Sequence, residues 1–151
     1  MTAHSTATTQ NRSKALHITL WVVQVLLALA FGMAGFMKLV TPLPDLAAQG
    51  MTYVNSFGEG MVRFIGLSEL LGAIGLILPA ALRIKPVLTP LAAVGLAVIM
   101  VLGFGYHFIN NEPFLPTIIL FALAAFVAWG RLKKAPIQPK SAEGRSSSMS
   151  L

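Results

Sequence analysis

Three side chains in this sequence could move a proton or hold a polar ligand in otherwise apolar surroundings. Lys38 closes the run LLALAFGMAGFMK, Glu69 sits within VRFIGLSELLGAIGLILP, and His107 ends LAVIMVLGFGYH. Arg63 precedes Glu69 by a turn and a half of helix. A carboxylate in hydrocarbon is costly, so intramembrane charges usually face a protein interior and pair with one another. Lys38 is the expected counter-ion of Glu69, with Arg63 next in line and His107 nearby. Such a cluster suits a small ligand or a proton site. It equally suits a structural ion pair that sets the register of two helices, or a protonated Glu69 with no counter-ion.

Other chemistries find no support. The chain has no cysteine, which removes disulfide exchange and cysteine-held iron–sulfur clusters. His17 and His107 fall at opposite ends of apolar spans, roughly 30 Å apart, too far to share a haem. His107 with Glu112 is too small a set for a metal centre. No phosphate-binding glycine loop, dinucleotide fingerprint or nucleophile with its base is present. Ser68, adjacent to Glu69, points to another helix face and is expected to bond a backbone carbonyl.

The elements that must position these residues are four apolar stretches. Of the 151 residues, 56% are hydrophobic and 11% charged, where soluble domains carry about 25% charged. The composition is that of a membrane protein. The stretches cover about 17–39, 61–82, 86–109 and 113–130, each long enough for a ~30 Å hydrocarbon core. The predicted fold is an all-α, integral membrane four-helix bundle as one domain, 17–130. A polar leader, 1–16, and a basic then polar tail, 131–151, are expected to be disordered. The first stretch continues too far to be a cleaved signal peptide and is expected to stay as a span.

Orientation follows from the basic residues. Nine of the eleven lie before the first stretch, between the second and third, or after the fourth. The positive-inside rule puts these regions, and so both termini, in the cytoplasm. Trp21 and Trp129 then fall at the cytoplasmic interface. The net charge of +6 is therefore a topology signal, and no nucleic-acid partner is expected. The first outer loop, TPLPDLAAQGMTYVNSFGEG, is too long for a bare connector. Pro44 is expected to start a short helix there that Gly50 ends, lying at the interface or dipping into the bundle mouth.

Gln24, Ala28, Gly32, Gly35 and Lys38 fall on one face of the first helix at ~100° per residue. Small residues let helices approach closely in lipid, so this face is expected to point inward. Gly66, Gly72, Ala73 and Gly75 do the same for the second helix.

In order and spacing, LLALAFGMAGFMKL, GLSELLGAIGLILP and LTPLAAVGLAVIMVLGFGYHF resemble successive helices of the DoxX-like family of small membrane proteins. Gly35 with Lys38 and Leu39, Gly66 with Glu69 and Gly72, and the stretch ending at His107 carry the likeness. The resemblance implies a four-helix bundle in a bacterial cytoplasmic membrane. It also implies a link to redox metabolism, the family being named for a subunit associated with thiosulfate:quinone oxidoreductase.

The expected function is that of an accessory membrane subunit binding a quinone or another small hydrophobic molecule. Lys38, Glu69, His107 and Arg63 would supply its polar contacts. Its partners would be the bilayer and another membrane or oxidoreductase subunit, or a second copy. The alternatives are a structural partner in a membrane complex and a small proton-coupled transporter.

Overall fold

The computed structural model describes residues 3–140, with side chains from residue 13 onward. Every regular element in it is helical: α1 (Ala3–Val40), α2 (Leu43–Ala48), a 3-10 turn (Thr52–Asn55), α3 (Glu59–Leu82), α4 (Leu88–Ile109), α5 (Leu115–Trp129) and a π-helical turn (Gly130–Lys134). Four helices are long and apolar enough to cross a membrane: Ser13–Val40, Glu59–Leu82, Leu88–Ile109 and Leu115–Lys134. Four crossings bring both described termini to one end of the bundle, the termini end. The segment between α1 and α3 and the turn between α4 and α5 occupy the other, the loop end.

The helices form a ring. The α1–α3 contact is the most extensive, α4–α5 and then α3–α4 follow, and a thinner α5–α1 contact closes the ring. Leu27, Phe31, Leu76, Leu96, Ala124 and Val127 are buried at the centre. Large apolar side chains such as Phe36, Phe64, Leu102 and Ile109 stand exposed on the outside. That outward apolar surface is what a hydrocarbon solvent requires, since lipid tails are as apolar as leucine.

The α1–α3 contact is closest at two glycines. A methyl group on Gly35 would lie 2.6 Å from the Gly66 carbonyl and 2.8 Å from the Leu70 amide nitrogen. One on Gly66 would lie 2.7 Å from the Lys38 Cβ. Only hydrogen fits at either position, so the two backbones touch.

Several boundaries differ from the sequence expectation for identifiable reasons. α1 runs back to Ala3 through the polar leader, where no proline or glycine stops a helix already nucleated in the apolar span. α4 begins at Leu88 rather than near Pro86. Lys85 has a φ of +45° and Pro86 follows it, so the chain turns there before the helix can start. α5 begins at Leu115 with Pro116 in its first turn, and its end widens into the π turn. The tail beyond residue 140 lies outside the described residues.

The loop between α1 and α3 is a folded cap. α2 ends at Ala48, and Gly50 takes a φ of +93°, the left-handed turn that reverses the chain. Leu46, Val54 and Val62 form a small core of their own, flanked by Met37, Leu43, Met51, Tyr53 and Phe57. This second core seats the loop on the loop end of α1 and α3.

Candidate functional site

Lys38 and Glu69 meet directly. The Lys38 Nζ donates to Glu69 Oε2 at 2.5 Å, and the residues are only 5% and 4% exposed. The pair lies one helical turn from the Gly35–Gly66 contact on both helices. Close backbones and a paired charge are thus two parts of one joint. The short separation lets a long lysine side chain fold onto a neighbouring helix while staying buried.

Arg63 does not reach Glu69. Its Nη1 donates to the carbonyls of Lys38 and Thr41, at 2.5 and 2.8 Å. Its Nη2 donates to Glu59 at 2.9 Å. These are carbonyls at the C-terminal end of α1, where no amide follows in register to satisfy them and where the helix dipole favours a cation. Arg63 therefore caps α1 and fixes the height at which Lys38 leaves it.

His107 also has another partner. Its Nδ1 lies 2.8 Å from Glu112 Oε2, and Thr52 donates to Glu112 Oε1 at 2.5 Å. The carboxylate must accept, so the His107 Nδ1 carries the proton and donates it. Glu112 thereby ties the α4 end to the 3-10 turn. Ser56 and Tyr106 exchange a further hydrogen bond of 2.8 Å across the same seam.

Aromatic rings cluster along this seam. Tyr53 meets Tyr106 edge to face at 6.2 Å and His107 at 6.4 Å, and Phe57 lies 5.4 Å from Tyr106. Burial first, then the Glu69 carboxylate, pushes the Tyr53 phenol above its ordinary range. Tyr53 thus sits within electrostatic reach of the ion pair. Tyr53 meets both Tyr106 and His107, and His107 leads on to the Glu112 rim.

Of the four residues singled out in the sequence, the fold pairs two and gives the others separate roles. Tyr53, Tyr106 and Glu112 join the site without having been singled out for it. Their signal was faint: a hydroxyl-rich loop, TYVNS, facing YHFINNE across the loop end. Ser68 bonds the Phe64 carbonyl at 2.9 Å, as expected of a helical serine. Among the described residues no group of three or more metal-ligating side chains converges. An apolar hollow of about 340 Å³ opens between α4 and α5, lined by residues such as Val94, Val98, Phe121 and Ala125. It shares no residue with the polar cluster.

The family model described as the DoxX-like family matches residues 22–130, spanning α1 from Val22 through to the first residue of the π turn. This chain belongs to the DoxX-like family. No curated protein and no solved structure matches it. The match takes in every residue of the polar cluster of this DoxX-like chain. With its four apolar helices, the chain is a multi-pass membrane protein.

Acid should loosen the rim. The Thr52 hydroxyl, then His107, hold the Glu112 carboxyl below its ordinary value of 4.5. A depressed carboxyl pKa stabilises the fold above the unfolded value, and this contribution disappears as pH falls through the folded value. The thermal midpoint of wild type should exceed that of Glu112→Gln by a constant margin at neutral pH. The margin should shrink below about pH 5. A margin unchanged down to pH 3 would show that Glu112 does not act as an ionised acceptor.

Proposed function

We propose that this DoxX-like chain is an accessory membrane subunit that binds a small lipid-soluble molecule of the quinone class at the loop end. The observation that carries the reading is the desolvated Lys38–Glu69 pair, which shares the loop half of the bundle with the Tyr53, Tyr106 and His107 rings. A quinone or quinol head needs a donor for its carbonyl, an acceptor for its hydroxyl and flat apolar contact for its ring. A lysine ammonium, a glutamate carboxylate and half-buried aromatics match that need, as ligand sites with few convergent polar groups generally do. The direct Lys38–Glu69 bond would open to admit the head group.

Gentle extraction into mild detergent, followed by mass spectrometry of the organic extract, tests the reading. A lipid-soluble carbonyl compound should co-purify near stoichiometrically with wild type and fall away in Glu69→Gln. Its absence from wild-type protein removes the proposal. The competing reading, a structural partner in which the pair only sets helix register, draws on the Gly35–Gly66 contact, and it predicts no bound compound.

The termini end is proposed to face the cytoplasm. Exposed Lys14, Lys85, Lys133, Lys134 and Lys140 gather there, as the positive-inside rule requires. Reporters fused at either terminus should read as cytoplasmic and one inserted beside Gly50 as external. A cytoplasmic reading at Gly50 reverses the assignment.

A further inference from the structure

The termini end holds a buried cation with no counter-ion among the described residues. Arg131 is 3% exposed. The π turn that follows α5 puts it there: the wider turn lets the chain swing inward at Gly130, whose missing side chain leaves room for Leu20, 2.5 Å from where a methyl would sit. Such π-helical turns are frequent at functional sites.

The acceptors offered to Arg131 are few and neutral. Its Nε donates to Gln24 Oε1 at 2.5 Å, and the Gln24 amide is held from its other side by the Leu76 carbonyl at 2.8 Å. Its Nη1 reaches His17 Nδ1 at 3.1 Å and the Ala135 carbonyl at 3.2 Å. The histidine is shared, because the Trp21 indole donates to His17 Nε2 at 3.2 Å. A neutral imidazole has one lone pair available in its plane, so it can serve Trp21 or Arg131 at any moment, not both. The Arg131 Nη2 is buried with no partner. Thr89, in the first turn of α4 at the same end, is likewise buried with its hydroxyl unpartnered.

No described carboxylate lies at this end. Asp45, Glu59 and Glu112 belong to the loop end, and Glu69 is taken by Lys38. A guanidinium has five N–H donors in a planar fork matched to an oxyanion, and burying it without a counter-charge is expensive. Trp21 lies under the guanidinium at 5.5 Å, and Lys134 lies over Trp129 at 5.8 Å. Tryptophans of this kind mark the headgroup level of a bilayer.

We infer that Arg131 is the seat of a phosphate-class anion at the termini end, supplied either by a lipid headgroup or by free phosphate. A phosphate oxygen would take Nη2 and displace the Ala135 carbonyl, the longest of the contacts to Arg131. Lys133 and Lys134 would raise the local anion concentration without forming the seat. The site is independent of the quinone reading, being at the opposite end of the bundle.

The test is native mass spectrometry and thermal denaturation of the full chain. Protein delipidated in zwitterionic detergent is titrated with phosphatidylglycerol, phosphatidylcholine or inorganic phosphate. Wild type should retain one phosphatidylglycerol or one phosphate at least tenfold more tightly than phosphatidylcholine, with a raised midpoint. Binding to Arg131→Gln should be at least tenfold weaker, and Lys133→Gln/Lys134→Gln should stay within about threefold of wild type. Stabilisation by phosphatidylglycerol alone assigns a lipid source, and stabilisation by inorganic phosphate as well assigns a soluble one. Should Arg131→Gln fail to assemble, Arg131→Lys keeps the charge but loses the fork, and at least threefold weakening is expected. No preference of wild type for an anion, unchanged binding in the arginine variants, or equal loss in the double lysine variant overturns the site. Glu143, outside the described residues, is checked by Glu143→Gln. Anion binding that appears only in that variant would make the tail carboxylate the native counter-ion and overturn the proposal.

Discussion

Lys38→Met is expected to destabilise the protein in detergent by about 3–5 kcal/mol, because it leaves Glu69 buried and uncompensated. The two groups are 2.5 Å apart and almost wholly enclosed, so water cannot replace the missing ammonium cheaply. Replacing both partners with apolar residues of similar size is often nearly neutral. The double variant Lys38→Met/Glu69→Leu should therefore recover most of the loss. Denaturant midpoints for the two singles and the double give the coupling directly. Losses that merely add would mean that the pair contributes no interaction. A double variant that is stable yet retains no lipid-soluble compound would assign the pair to ligand binding rather than to packing.

Gly35→Ala should cost about 1–3 kcal/mol, the usual range for overpacking, although it adds a single methyl group. The added carbon meets backbone, the Gly66 carbonyl at 2.6 Å and the Leu70 nitrogen at 2.8 Å, and backbone cannot rotate out of the way. α1 and α3 must part, which also pulls Lys38 from Glu69. Gly32→Ala is the matched control one turn earlier, where the new methyl would rest 3.6 Å from the Ala73 Cβ in ordinary contact. Thermal midpoints should separate the two clearly. Equal midpoints would contradict the close backbone approach.

Hydrophobic length reveals the four spans in the sequence, because the bilayer imposes it on any chain that crosses it. The inward face of α1 was legible from the spacing of Gln24, Gly35 and Lys38, all of which are buried. The Lys38–Glu69 pairing could be read from the cost of an unpaired intramembrane charge. What Arg63 does was hidden. The carbonyls it caps exist only once α1 ends at Val40 and the chain turns, and no residue type marks that geometry. His107 and Glu112 look like neighbours on one chain, yet their third partner, Thr52, comes from a loop whose fold depends on its own small core. Arg131 reads as one more basic residue after a span. The π turn that buries it adds a residue per turn, and helical periodicity counted along the sequence cannot register that.

The Gly35–Gly66 joint and its ion pair also bear on how the chain is made. Helices enter the bilayer one after another during synthesis, and α1 emerges well before α3. An acidic residue placed centrally costs about 2.5–3.5 kcal/mol for a helix inserting alone. Glu69 therefore makes α3 a weak inserter by itself, whereas Lys38, at the end of α1, can already wait near the far interface. Docking α3 against α1 at that stage would supply the counter-charge and relieve that cost. The first helix would then act as a receiver for the next.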